Sequence, residues 1–240
     1  MKQYEAVIEA LRQNGGYATL GWLYRTVPQI KGVEWKTKTP FASIRRIVQD
    51  GRFFFKIRPG LWALREYKGK IPFEADTRKK STEGEQFNHA YYQGLLVEIG
   101  NLNKYETFVP NQDKNRRFLE KPLGELTSVA NCYPFTYENL VKRAQTVDVV
   151  WFNERKLPNA FFEVEHSTDI QNSLLKYFEL QDFNAEFRIV ADRARLKEYE
   201  SKLGYSAFRP ISGRVTFLSY EAVSEMHSKT VEMNIAKEGW

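Results

Sequence analysis

At 240 residues, with 42% hydrophobic content, a net charge of +6 and a pI near 9.2, the chain has room for one large domain or two modest ones and suits an acidic partner such as nucleic acid. Lone Cys132 excludes an internal disulfide framework and a cysteine metal site, and His89, His166 and His227 are scattered without zinc spacing. No window approaches the roughly eighteen apolar residues of a membrane span, and Met1-Lys2-Gln3-Tyr4-Glu5 does not read as a signal peptide, so the expectation is a soluble cytoplasmic protein with no membrane partner.

Residues 2–14 put Tyr4, Val7, Ile8 and Leu11 on one helical stripe that stops at Gly15-Gly16. A second short helix is expected from about Thr19 to Val27, with Leu20, Leu23, Tyr24 and Val27 facing inward. After a basic loop carrying Lys31, Lys36 and Lys38, Thr39 is placed to cap a third helix opened by Pro40. That helix buries Phe41, Ile44, Ile47 and Val48 and turns Ser43, Arg46 and Gln49 outward. Residues 53–57 and 62–64 flank Pro59-Gly60, the chemistry of a type II turn, and read as a hairpin. This order of elements over residues 1–65 resembles a winged helix-turn-helix domain. The resemblance implies a third helix in the major groove, with Ser43, Arg46 and Gln49 at base edges and Lys36, Lys38, Arg45 and Arg58 on phosphates. Such a module also serves as a protein-binding or packing unit.

Residues 66–84 are charged and aperiodic, as a linker between domains would be. From residue 85 to 100 a helix places Phe87, Ala90, Tyr91, Gly94 and Glu98 along one stripe and stops at Gly100. Glu98 is an acid on an apolar stripe, or else the fraying end of that helix. Residues 105–109 read as a strand. A segment with Lys114, Arg116, Arg117 and Lys121 follows, either a wall of a DNA channel or a solvated loop, and then a helix over 136–143.

Two runs rich in Val, Phe and Trp, 147–152 and 160–165, surround a polar break and form a hairpin that is apolar on both faces, as in the middle of a covered sheet. Inside it lie Asp148, Glu163 and Glu165. Burying unpaired negative charge costs several kcal/mol or neutralises the group. Glu163 and Glu165 share a strand face, and Asp148 joins them if its cross-strand partner is an odd-numbered residue such as Glu163 or Glu165. A divalent cation with oxygen ligands is then the natural counter-charge.

An acid opening one strand, Glu-x-(Lys or Glu) closing the next, and a helix beyond resemble the PD-(D/E)xK nuclease superfamily, to which many restriction endonucleases belong. The resemblance implies Asp148 and Glu163 as ligands of Mg²⁺, with Mn²⁺ as its substitute, and Glu165 at the third position, usually a Lys that helps activate water. Lys176 on the following helix and Lys156 in the hairpin turn are the candidates for a displaced ammonium. An acid on the first helix of such nucleases reaches the metal, which makes Glu98 a candidate fourth carboxylate. Thr168-Asp169-Ile170-Gln171 is a capping-box pattern opening a helix that buries Ile170, Leu174, Tyr177 and Phe178. Gln171 and Tyr177 have counterparts near the site in some relatives, though capping and packing explain them. A strand at 187–191, a helix at 193–203, a strand at 215–218 and a helix at 221–228 complete the superfamily's core order.

The expected protein is therefore α+β: an N-terminal winged helix-turn-helix (1–65), a linker (66–84) and a C-terminal restriction-endonuclease-like α/β domain (85–240) with a central mixed sheet flanked by helices. Its expected function is Mg²⁺-dependent cleavage of double-stranded DNA, as a homodimer because two strands need two sites. The alternatives are a non-catalytic DNA-binding regulator with a nuclease-like domain, and a repair or RNA-processing nuclease.

Overall fold

The computed structural model describes residues 1–36, 38–71 and 82–238, so residues 72–81 of the expected linker lie outside the described residues. The chain divides into two compact units, Met1–Gly84 with Ser224–Trp240, and Glu85–Val223.

The first unit contains α1 (Gln3–Gln13), β1 (Tyr17–Thr19), α2 (Leu20–Thr26), α3 (Phe41–Ile47), β2 (Phe54–Arg58) and β3 (Leu61–Leu64). Helix α1 buries Ala6, Val7, Ala10 and Leu11, a face rotated from the expected one, and leaves Tyr4 and Ile8 half-buried. It ends where Gly15 and Gly16 take φ of 73° and 95°, conformations that favour glycine. Thr19 caps α2 by accepting from the Trp22 amide at 3.2 Å. Thr39 does not cap α3: Pro40 holds the cap position without a side-chain bond, so the helix begins one residue later than expected. Helix α3 buries Phe41 and Ile44, Val48 is buried just beyond it, and Ile47 is only half-buried. The strands form an antiparallel sheet in the order β1-β3-β2, and Gly60 at φ 76° closes the β2–β3 turn.

Opening the second unit, α4 (Thr82–Leu102) leads into β4 (Glu106–Phe108), β5 (Arg117–Phe118), β6 (Lys121–Pro122), α5 (Leu123–Leu126) and α6 (Glu138–Ala144). Then come β7 (Val149–Phe152), β8 (Pro158–Glu165), α7 (Ile170–Glu179), β9 (Glu186–Ala191), α8 (Leu196–Leu203), β10 (Val215–Ser219) and α9 (Tyr220–Glu238). The main sheet runs β10-β9-β8-β7-β4, antiparallel from β4 to β8 and parallel from β8 to β10. The parallel pairs follow from the helical crossovers α7 and α8. One face packs Val150, Phe161, Phe187 and Ile189 against Val141, Ile170, Leu174 and Tyr177. Trp151, on the other face, donates its indole N–H to the Leu96 carbonyl of α4 at 3.1 Å.

Three expectations change here. Gly100 does not stop α4; a Cβ there would come within 2.6 Å of the Trp151 ring, so this glycine serves close helix–sheet approach and the helix runs to Leu102. Nor is α4 a one-sided stripe: from residue 90 to 100 only Glu98 is not fully buried, the signature of a helix through the core. Helix α9 extends well past residue 228, to Glu238, and its residues from 224 onward count with the first unit, where the second domain was expected to run to residue 240. The reason is visible at Gly21 of α2, whose absent Cβ leaves room for His227 and Val231, both buried.

Candidate metal and active site

The β7–β8 register pairs Val149 with Phe162 and Val150 with Phe161, which carried one residue further sets Asp148 opposite Glu163. Asp148, Glu163 and Glu165 therefore share a face, at the end of the sheet where β8 finishes. All three line one cavity of about 380 Å³, together with His89, Ser173 and Lys176. They are 8%, 3% and 4% exposed, so each carboxylate needs a partner.

Each acid has a different one. Asp148 Oδ2 accepts the Val164 amide at 2.7 Å, which locks the side chain across the hairpin, and its Oδ1 lies 3.3 Å from His89 Nε2. Glu163 is gripped by Lys176, whose Nζ stands 2.9 and 3.0 Å from the two carboxylate oxygens and donates also to the Thr146 carbonyl at 2.8 Å. Burial and the charge on Asp148 push Glu163 well above the usual carboxylate range, against the pull of Lys176. Glu165 accepts from the hydroxyls of Thr168 and Ser173, with Arg195 Nη1 at 4.0 Å. Ser173 also reaches Glu163 at 3.3 Å, and Ser173 and Lys176, three apart on α7, present both groups on one helical face.

The expected capping box is not formed. Asp169 caps α7 by accepting from the Gln171 amide at 2.9 Å, which leaves the Thr168 hydroxyl to Glu165.

Behind Asp148 lies a second group that the sequence reading passes over. Gln93, fully buried on α4 one turn beyond His89, donates to Asp113 Oδ2 at 2.9 Å and to the Asp148 carbonyl at 3.0 Å. Asp113 is 1% exposed, and its Oδ1 has Arg116 Nε at 3.0 Å without a hydrogen bond. Ligand atoms of His89, Asp113 and Asp148 all lie within 4.8 Å of one another. Burial opposes a charge on His89, but Asp148 and Asp113 outweigh it and hold the imidazole above its ordinary pKa. The available signal was a histidine four residues before a glutamine on an apolar helix; nothing local marks Asp113 among its basic neighbours.

Other candidates lie elsewhere. Glu98 is nine residues past His89 on α4, about 13 Å along the axis, half-buried and not among the residues lining the cavity. Lys156 sits over the Tyr133 ring at 5.1 Å. Tyr177 is buried and donates to the Arg188 carbonyl at 2.6 Å, while Gln171 accepts from Lys202 at 3.2 Å, so both serve packing and tethering.

In the first unit Ser43, Arg46 and Gln49 are exposed and line a shallow cavity with Tyr4, and Lys36 and Lys38 are exposed. Of the expected phosphate contacts, one is buried and another already has partners. Arg58 is 8% exposed, and Arg45 is tied to Glu232 and to the Tyr24 hydroxyl. Among the described residues no helix is long and apolar enough to cross a membrane.

The Type II restriction enzyme NmeDI of Neisseria meningitidis serogroup C is 25% identical over 158 residues, covering 61% of this chain and 44% of that protein. The chain thus spans less than half the length of that relative. No solved structure matches it. The model of the Type II restriction enzyme NmeDI C-terminal domain matches residues 70–239, a span that holds every side chain of the cavity, and the chain belongs to that family.

Proposed function

We propose that this protein is a restriction-type endonuclease of the PD-(D/E)xK kind that hydrolyses phosphodiester bonds in double-stranded DNA with a divalent cation. The observation that carries the reading is the buried hairpin that brings Asp148 and Glu163 to one end of the sheet, with Lys176 on Glu163 in the same cavity. The donor chemistry fits a cation: the cavity gathers carboxylates and an imidazole, and Asp113 Oδ1 is buried without a hydrogen bond. Asp148 and Glu163 are the acids that would hold it. Once bound, such a cation offsets charge on the scissile phosphate and lowers the pKa of a water.

The chain's own groups do the rest. Lys176 supplies the ammonium that the third motif position lacks, reaching Glu163 from α7 instead of from β8. Its charge faces the incoming phosphate and stabilises negative charge developing there. Glu165 is held by two hydroxyls, so its carboxylate is fixed in direction and acts on a water only along its remaining lone pairs. The Val164 amide and His89 fix Asp148 in the same way.

The first unit, in this reading, is a winged helix-turn-helix that presents Ser43, Arg46 and Gln49 to base edges and Lys36 and Lys38 to phosphates. A homodimer places two cavities on the two strands. The non-catalytic regulator remains the second reading, favoured by the absence of a Lys beside Glu163 on β8. Purified protein incubated with plasmid and genomic DNA, with Mg²⁺, Mn²⁺ or EDTA, decides between them. Cation-dependent cutting that Glu163→Gln abolishes supports the nuclease; no cutting under any condition leaves the regulator.

A further inference from the structure

We infer that His89 and Asp113 complete the cation seat around Asp148, giving it an imidazole nitrogen and therefore a preference for Mn²⁺-class ions over Mg²⁺. The inference depends on the nuclease reading only for what the ion does, not for whether it binds.

Three observations lead there. Donors sharing one ion at bond lengths of about 2.1 Å stand roughly 3 to 4 Å apart; the His89, Asp113 and Asp148 ligand atoms lie within 4.8 Å, a spread that side-chain adjustment closes. Of the two buried carboxylates, Asp113 has Arg116 Nε at 3.0 Å and Asp148 has only the His89 imidazole at 3.3 Å, so the pair share one guanidinium besides that imidazole, whereas Glu163 next door already has Lys176. Asp113 Oδ1, inside a residue 1% exposed, has the Arg116 guanidinium at 3.0 Å but accepts no hydrogen bond, which leaves its lone pairs for an ion. Gln93 meanwhile spends its amide N–H groups on Asp113 and on the Asp148 carbonyl, fastening the loop after β4 to the start of β7 so that both carboxylates are held beside His89.

Preference follows from ligand type. Mg²⁺ is a hard ion that takes oxygen donors and gives up water reluctantly, whereas imidazole suits first-row transition ions; Mn²⁺, the weakest binder among these, is the one that also takes carboxylates and water. A seat built from Asp148 and Glu163 alone would be all oxygen and would lack this bias.

The rival account is that His89 is only a cation neutralising two acids. The two accounts predict opposite signs. In the DNA-free full chain, Mn²⁺ binding followed by calorimetry, with pulsed EPR of the bound ion, should show coupling to an imidazole nitrogen. His89→Gln should remove that coupling and weaken Mn²⁺ by about ten-fold or more while changing Mg²⁺ less, and Asp113→Asn should weaken both ions. If His89→Gln leaves Mn²⁺ affinity unchanged or tightens it, and no nitrogen coupling is seen in wild type, the seat is overturned. Thermal unfolding run alongside identifies any variant that does not fold; should Asp113→Asn fail, the His89→Gln result and the wild-type spectrum still decide. DNA cutting measured in parallel separates the two readings. Nitrogen-coupled Mn²⁺ without cutting upholds the seat and removes the nuclease, and cutting without nitrogen coupling does the reverse.

Discussion

The two sides of Asp148 were built by different means. Toward β8 and α7 it meets Glu163, Glu165 and Lys176, residues within about thirty positions of it, placed by strand alternation and helical spacing. On the side of α4 and the loop after β4 it meets His89 and Asp113, brought there by packing between distant elements and pinned by Gln93. The first side offers charge pairs already closed, Glu163 with Lys176 and Glu165 with two hydroxyls. The second leaves a buried carboxylate oxygen without a hydrogen bond. In one region sequence neighbours give each acid a partner, although Asp148 still raises Glu163 against the pull of Lys176; in the other the tertiary fold assembles charges that an ion can finish.

The comparison breaks most directly at Glu163. Glu163→Gln keeps the side chain's shape but removes its charge, and losing several kcal/mol of transition-state stabilisation at about 1.4 kcal/mol per tenfold lowers cleavage on the order of 10³-fold. Single-turnover cutting of plasmid DNA measures this; near wild-type rates would take Glu163 out of the chemistry. Lys176→Met should cost less, roughly 10²-fold, because it removes one stabilising charge and leaves the carboxylates in place. It also strands buried Glu163 beside Asp148, so the midpoint of chemical denaturation should fall, and Lys176→Arg should recover part of both losses. A Lys176→Met enzyme that cuts normally would return the ammonium role to another residue.

These two variants probe what could be read in the chain itself. Runs of Val, Phe and Trp apolar on both faces, at 147–152 and 160–165, marked the hairpin and its burial, and a strand's period of two put Glu163 and Glu165 on one face, whereas whether Asp148 joins them rested on the register. The three-helix and hairpin order before residue 65 was equally local, and its elements appear within a residue or two of their expected bounds. What failed depended on partners far away in the chain. Gly100 looks like a helix stop until Trp151 is seen against it, and Arg58 looks like an exposed cation until its burial is known. Asp113, inside a basic run, goes unremarked because nothing nearby announces Gln93. Thr168 was misassigned by a single position: Asp169 is the better cap, and that choice frees a hydroxyl for Glu165.

A smaller effect tests whether the closed side is support or chemistry. Ser173→Ala removes a hydroxyl that touches both Glu165 and Glu163. A hydrogen bond to a buried charged group is worth about 1.5–3 kcal/mol, so unfolding by urea should shift by that amount, with cleavage reduced roughly ten-fold or more through misdirected carboxylates. A large stability loss with unchanged cutting would make Ser173 and Glu165 purely structural.

The smallest expected effect separates open from buried cations in the first unit. Lys38 is exposed and Arg58 is buried, although both looked alike as phosphate contacts. Neutralising one phosphate contact reduces the slope of log affinity against log salt by about 1. Lys38→Ala should therefore weaken binding to duplex DNA uniformly across sequences and flatten that slope, as anisotropy titrations over a salt series would show. Arg58→Ala should instead lower the unfolding temperature and leave the slope of the folded protein alone, because a side chain inside the unit releases no counterions from DNA. Arg46→Ala, on the exposed face of α3, should lose about 1–3 kcal/mol of discrimination between sequences. If Lys36→Ala and Lys38→Ala both leave the salt slope untouched, DNA is held by the second unit, and the exposed face of α3 serves packing or a protein partner.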